Sequence, residues 1–383
     1  MNSDYYVILT GSKNNAGDFL IKHRAKQLFQ KIRPDREIID FNAWEYLDDK
    51  KLKVVNNSKA LILMGGPALQ KNMYPGIYKL RDNLDDIKIP IIIMGIGWKS
   101  MKGEWGDTYN YTLNSSTLQL LNKVERSGFL SSVRDYHTLN VLQIKGYKNV
   151  LMTGCPAYYD REYLNKGLNI SKDINKVSFS LGVSFVESKS MENVMKSLIL
   201  ELQKKFKDKY FEVVFHHSLN KSNLLKYNSA SEYHNKKHNE FAKWLESNNI
   251  SYVDISGSAE NLINYYLNVD LHIGFRVHAH IFMNSISKYS ILISEDGRAK
   301  GVEKTINGIV LNGYLDFKDG NLSKVLNKLF NFYDRYTPNT YINQELFENI
   351  FYETKINYNR IFNSRKMIDS NFHIMEKFLK QLP

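Results

Sequence analysis

Almost from the first residue, short and continuously apolar runs alternate with longer stretches in which apolar residues recur every three or four positions. YYVILT, EIIDF, KALILMGG and IPIIIMGIG read as buried strands, because a parallel strand covered on both faces shows no polar alternation. Between the first two, GDFLIKHRAKQLFQKI sets Phe19, Ala25, Leu28, Phe29 and Ile32 on an apolar side and Leu20, Arg24, Gln27 and Lys31 on another, which predicts a crossover helix. FLSSVRD, a helical HTLNVLQIKG and NVLMTG repeat the unit. Residues 1–165 are therefore expected to form one Rossmann-like domain.

The polar, non-periodic segment DREYLNKGLNISKDINK suits a linker. Beyond it the alternation restarts with VSFSLGVS, a helix through MENVMKSLILELQKKFK, YFEVVFHHS, a charged helix near EYHNKKHNEFAKWLES, SYVDIS, a helix in SAENLINYYLN, VDLHIGF and YSILISED. A second Rossmann-like domain is expected over residues 176–335, followed by an aromatic-rich helical extension over 336–383. The fold class is α/β, with two doubly wound domains facing a cleft and a helical C-terminal tail. In such sheets ligands bind outside the carboxyl ends of the strands, so the residues just after strands carry the most information.

At 383 residues the chain exceeds the ~250–300 at which one hydrophobic core usually stops growing, in keeping with two domains. Lys and Arg number 52 against 40 Asp and Glu, a net charge of +12. That balance favours a phosphorylated metabolite, nucleic acid or an anionic membrane face as partner. The basic residues are scattered and form no run of five or six, so nucleic acid is not expected. Cys155 is the only cysteine, which excludes an intramolecular disulfide and a cysteine-based zinc site and fits a reducing compartment. No apolar stretch approaches the ~20 residues of a membrane span. The expected location is the cytoplasm, with peripheral contact to the inner face of the cell membrane left open.

Several strand ends carry candidate chemistry. GSKNNAGDFL opens the first helix, and its Asn15, Gly17 and Asp18 could face a ligand at the helix N-terminus; the plainer reading is that Asp18 caps the helix and Gly17 makes the turn. Gly65 and Gly66 in MGGPAL could let backbone approach a ligand, and Lys99 follows the next strand. SSVRD ends in Arg134 and Asp135, either an anion clamp or an ion pair. In HIGFRVHAHIF, Arg276 and His278 stand where a strand gives way to a helix, a combination suited to holding an anion and moving a proton. His272 and His280 read as structural. D-x-D and H-E-x-x-H are absent, and no metal is expected. His234 and His238 in HNKKH read as a solvated helix face, His216 and His217 could line the cleft rim, and Cys155 reads as small-residue packing.

GSKNNAGDFLI, MGGPAL, SVRD with HTLNVLQIKGYKNVLMTGCPA, GFRVHAHIF and ISEDGRAKG occur in an order that resembles the polysaccharide pyruvyl transferase family, over roughly residues 5–305. The resemblance implies a fold like that of GT-B glycosyltransferases, with the first domain on the acceptor side and the second on the donor side. It implies phosphoenolpyruvate as donor substrate with no further cofactor, a glycan or lipid-linked sugar as acceptor, and a pyruvate ketal as product. The positions it assigns are Arg134, Arg276 and His278, with Arg298 and Lys300 nearest to a basic residue that is commonly lysine in relatives. Relatives commonly have Asp where this chain has Cys155. The competing expectations are a nucleotide-sugar glycosyltransferase using the same cleft, and a non-enzymatic protein in which Arg134, Arg276 and His278 fail to converge.

Overall fold

A computed structural model describes residues 4–11, 13–171, 173–226, 231–318 and 334–383. Residues 319–333 of the second expected domain, and Ser12 of the first glycine-rich turn, lie outside the described residues.

The apolar runs become two parallel sheets. In the first half, β1 (Tyr5–Thr10), β2 (Glu37–Asn42), β3 (Leu61–Met64) and β4 (Ile91–Met94) lie in the order β2-β1-β3-β4. The short strands β5 (Ser131–Val133) and β6 (Val150–Met152) pair with each other, and β5 continues the layer beside β4 through a bridge between Ile96 and Val133. In the second half, β7 (Lys176–Ser180), β8 (Tyr210–Phe215), β9 (Ser251–Asp254), β10 (Leu271–Gly274), β11 (Tyr289–Ser294) and β12 (Val310–Asn312) lie in the order β12-β11-β10-β7-β8-β9.

Each order reverses once, between β1 and β3 in the first sheet and between β7 and β10 in the second. At such a reversal the crossovers leave in opposite directions and open a crevice at the strand carboxyl ends. These two crevices position everything that follows.

The tail differs in one place from its helical expectation. Residues Tyr336–Pro338 form a strand, β14, antiparallel to β13 (Tyr314–Phe317), because Tyr336 packs its ring on Phe317 and Tyr314. Helices Ile342–Lys355 and Asn359–Lys380 then follow. The last helix returns to the first half: Arg33 donates to the carbonyl of Leu382 at 2.7 Å and Tyr6 donates to that of Pro383 at 2.6 Å.

Helix Ala16–Ile32 shows why its faces are misread from periodicity. Leu20 and Arg24 are buried along with Ala25, Leu28 and Phe29. The helix is covered on one side by its own sheet and on another by the second half, so one hydrophobic cluster runs from Tyr6 and Leu20 through Tyr158 to Phe282 and Phe378. Arg24 can be buried because Asp160, in the segment between the halves, bonds its guanidinium; their side chains are only 7% and 9% exposed.

Removing one member of a buried ion pair leaves an uncompensated charge, at a cost of about 3–5 kcal/mol. Replacing Asp160 with Asn is expected to destabilise the fold on that order in chemical denaturation, and Arg24→Met with Asp160→Leu to recover most of the loss. A loss below about 1 kcal/mol for Asp160→Asn would place the pair among ordinary surface ion pairs.

Candidate active site at the two sheet crevices

In the second half, Gly274 ends β10 with φ +144, and a Cβ there would meet the Ser180 backbone of the neighbouring β7 at 2.4 Å. The tight approach lets the chain turn directly into helix Val277–Ser285. Arg276 is the N-cap residue, and its backbone N–H donates to Ser180 Oγ at 3.1 Å. Its guanidinium is fixed by three acceptors: Leu181 O at 2.7 Å, Gly182 O at 3.5 Å and His217 Nδ1 at 2.9 Å. His278 is the second residue of the helix, so Arg276 and His278 diverge as cap and first turn instead of sharing a strand face. His272 and His280 both bond Ser290 Oγ at 2.7 Å, and His272 also bonds Ser180 Oγ at 2.8 Å. They form the buried frame that their structural reading expects.

The turn after β11 adds three charges. Arg298 Nε donates to both Asp296 oxygens at 2.9 Å, and Asp296 also caps helix Gly297–Ile306 by accepting from the Arg298 backbone. Glu295 accepts from the backbone of Val183 at 2.7 Å and Ser184 at 2.9 Å, fixing the loop whose carbonyls hold Arg276. Lys300 points elsewhere: its amine is 3.8 Å from Glu303 and about a third of its side chain is exposed.

From the first half, the loop after β1 reaches across. Asn14 accepts from Ser218 N–H and its carbonyl accepts from Gly257 N–H, both at 2.9 Å, while Ala16 N–H donates to His216 O at 3.3 Å. Asn15, not Asp18, caps the helix, accepting from Gly17 N–H at 3.2 Å; the helix begins before Asp18, which sits in its first turn and accepts from Asn15 Nδ2 at 3.3 Å. Gly17 makes no turn. A Cβ on Gly17 would lie 2.4 Å from His278 Nδ1, so glycine is what lets the imidazole seat on the helix.

Arg134 follows β5 with its Nε against Gly97, where a Cβ would come within 2.0 Å, and 3.5 Å from Asp135. Asp135 is occupied as the cap of the next helix, accepting from both Thr138 N and Oγ1 at 2.8 Å. Arg134 Nη1 and Nη2 are buried with no hydrogen-bond partner among the described residues. Thr305 Oγ1 donates to the Arg134 carbonyl at 3.4 Å, tying this residue to the second half.

Gly65 and Gly66, at φ +60 and +69, end β3 at the first sheet's reversal. Together with Thr10, Asp18, Gln70 and Tyr78 they line a cavity of about 180 Å³ with mainly apolar walls. Asp18 thus belongs both to this cavity and to the charged group beside it.

The electrostatics tie the halves together. Burial first, then the charges of Arg134, Arg298 and Arg276, push His278 down to about 3, so its imidazole is neutral at pH 7. Burial raises Asp18 to about 6 despite Arg298, Asn15, Arg134 and Arg276, which all favour its anion. Burial lowers Arg276 to about 10 against the pull of Glu295, leaving it charged. Asp296, partly countered by burial and joined by Glu295, holds Arg298 above its usual value. Arg134, Arg276, Arg298, His278 and Asp18 therefore form one interacting set drawn from both halves.

Sequence reasoning missed Glu295 and Asp296, and it set His217 at the cleft rim without its bond to Arg276. The first two stand in ISEDGRAKG, where the eye goes to the cations; an acidic pair two residues before an arginine was the available signal. His234 and His238 are corrected as well: His238 is 1% exposed and His234 is half-buried, because the helix turns them toward His217 and not outward. Cys155 is fully buried and its thiol is raised to about 11 by burial, in line with packing.

Two facing doubly wound domains with the site where they meet define the GT-B class of fold. UDP-GlcNAc 2-epimerase from Neisseria meningitidis, solved bound to UDP-GlcNAc, shares it with a TM-score of 0.53 at 9% identity, over 98% of this chain and 100% of that one. The corresponding epimerase of Methanocaldococcus jannaschii aligns with a TM-score of 0.44 at 12% identity, over 91% and 99%. Among curated proteins, none matches the sequence. Residues 15–282 match the model of the polysaccharide pyruvyl transferase family, and the chain belongs to that family.

The buried imidazoles set the response to acid. An unfolded histidine takes up its proton near 6.5, whereas burial holds His278 and His280 at about 3 and His216 and His272 well below 6.5. Their contribution is complete above pH 6.5 and is lost as pH falls below it, by up to about 1.4 kcal/mol per pH unit for each group. Asp18 acts oppositely, stabilising below 3.8 and losing that effect as pH rises through about 6. Calorimetric Tm is expected to fall steeply from pH 6.5 to 4.5; a flat Tm over that range would contradict the buried neutral assignment.

Proposed function

We propose that the protein transfers a pyruvyl group from phosphoenolpyruvate to two hydroxyls of a sugar, releasing phosphate and leaving a pyruvate ketal on a surface glycan or its lipid-linked precursor. The observation that carries this reading is the cation set at the crevices, above all the two buried Arg134 nitrogens that have no partner among the described residues. Unsatisfied buried donors are costly, and an anion bearing a carboxylate and a phosphate satisfies them bidentately. Family membership supports the same reaction.

In this mechanism Arg134 and Arg276 clamp the donor, and Arg298 exchanges part of its Asp296 contact for the phosphate. The cavity at Gly65 and Gly66 takes the acceptor sugar. One hydroxyl oxygen bonds to the enol carbon as its hydrogen is passed to the methylene, which becomes a methyl group. The second oxygen closes the ketal as the C–O bond to phosphate breaks, and its hydrogen leaves with the phosphate.

His278 is neutral before the donor binds, the form that accepts a hydroxyl proton, and the donor's negative charges then stabilise the imidazolium. Asp18, at about 6, is the second group able to exchange a proton near neutral pH. None of the described helices is long and apolar enough to cross a membrane. A lipid-linked acceptor would therefore be met at the anionic inner face, which the charge of +12 favours.

The test is phosphate release from phosphoenolpyruvate with a panel of candidate glycans, in the wild type and in His278→Gln. Turnover is expected to drop by about 10²–10⁴ in the variant with donor binding retained. A wild type that neither binds phosphoenolpyruvate nor releases phosphate, yet shifts in melting temperature with a UDP sugar, would overturn the reading in favour of a glycosyltransferase.

A further inference from the structure

Behind Arg276, three histidines meet where β8 ends and helix Glu232–Ser247 begins. His217 lies two residues past the end of β8, and His234 and His238 occupy the first two turns of the helix at i and i+4. The His234 and His238 rings stack with centroids 4.2 Å apart, and the His217 ring stands edge-on at 5.3 and 6.1 Å. One nitrogen from each ring lies within 4.8 Å of the others.

The hydrogen bonding fixes which nitrogens are available. His238 Nδ1 donates to the carbonyl of His234 at 3.0 Å, so its Nε2 carries the lone pair. A second ring nitrogen bonded to a carbonyl is how metal-ligating histidines are oriented. The Nε2 atoms of His234 and His238 are buried with no partner among the described residues, and His238 is 1% exposed. Phe185 and Phe215 wall off the ring of His238. Burial holds His234 at about 4 and His238 at about 3, so both are neutral at pH 7, the ligating form.

We infer that His217, His234 and His238 form a binding site for a divalent transition cation of the zinc class, and that filling it releases one arm of Arg276. Three imidazoles suit zinc, nickel or copper and not magnesium or calcium. An ion about 2.0–2.1 Å from each nitrogen draws the rings together by a fraction of an ångström, and solvent completes the set.

The coupling follows from proton bookkeeping. Arg276 Nη2 donates to His217 Nδ1, so the proton of that ring is on Nε2. A cation on Nδ1 takes the lone pair that Arg276 uses. A cation on Nε2 moves the proton to Nδ1, which a guanidinium cannot accept. Either way the Arg276 contact breaks. The site itself does not depend on the proposed reaction; only the meaning of that release does.

The test is calorimetric titration of the full chain with Zn²⁺, alongside Co²⁺ with its visible spectrum recorded. Wild-type protein is expected to bind one cation that His234→Gln weakens at least ~10-fold, and to give a tetrahedral Co²⁺ band that the variant lacks. His234 is half-buried, so this variant is expected to fold, as circular dichroism would verify; exposed histidines such as His373 remain in it as background. Unchanged Zn²⁺ affinity in folded His234→Gln, or no Zn²⁺ binding by folded wild type, would overturn the inference. Phosphate release measured with and without Zn²⁺ reports separately on Arg276.

Discussion

Three guanidiniums gathered at one place, two of them buried, repel each other, and the structure is organised around making that arrangement stable before any substrate arrives. Arg276 is held by backbone carbonyls, Arg298 by Asp296, and the loop beneath Arg276 by Glu295. Arg134 receives only a 3.5 Å approach from Asp135 Oδ2, the other oxygen of that carboxylate being engaged by Thr138. The charge is thus offset unevenly, and the shortfall falls on the residue that comes from the opposite half. The same field explains why His278 is neutral and why Asp18 titrates far above an ordinary carboxylate. In a poorly polarisable interior such couplings act over several ångströms, so one charge cannot be changed without moving the others.

The second requirement is close approach. The site is assembled from two sheets, and each contributes at the point where its strand order reverses. Glycines sit where the halves touch: Gly17 under His278, and Gly103 against Gly297, where a Cβ on either would come within 2.6 Å of the other's backbone; within the first half, Gly97 makes the same room for Arg134. Direct hydrogen bonds cross the same region, from Gly297 N to Ser100 O at 3.0 Å and from Ser218 N to Asn14 Oδ1 at 2.9 Å. The C-terminal helix returns to the first half and holds the two together from behind.

Much of this was legible in the sequence because buried parallel strands declare themselves as unbroken apolar runs. Each strand from Tyr5–Thr10 to Tyr289–Ser294 overlaps a run read as a strand, with only Asn42 and Lys176 lying beyond those runs. The positions of Arg134, Arg276 and His278 were legible for the same reason, since strand ends locate crevices, while Arg298 came from the family resemblance. What periodicity could not supply was partnership. Nothing local tells that Arg24 is paid off by Asp160 over a separation of 136 residues, or that the charged helix with HNKKH turns two histidines inward to His217. Strand β14 was missed because its three residues pair only with a distant strand of four. Asn15 was passed over as the cap because Asn and Asp serve equally well there, and only the backbone shows where the helix begins.

The central claim is that an arginine from the first half and an arginine from the second grip one anionic donor. Calorimetric binding of phosphoenolpyruvate to the wild type, Arg134→Ala, Arg276→Ala and the double variant tests it most directly, each checked for a native circular dichroism spectrum. The account predicts that each single change weakens binding at least ~10-fold and that the two effects are not additive, as for groups sharing one ligand. Binding that survives intact in folded Arg134→Ala would contradict it.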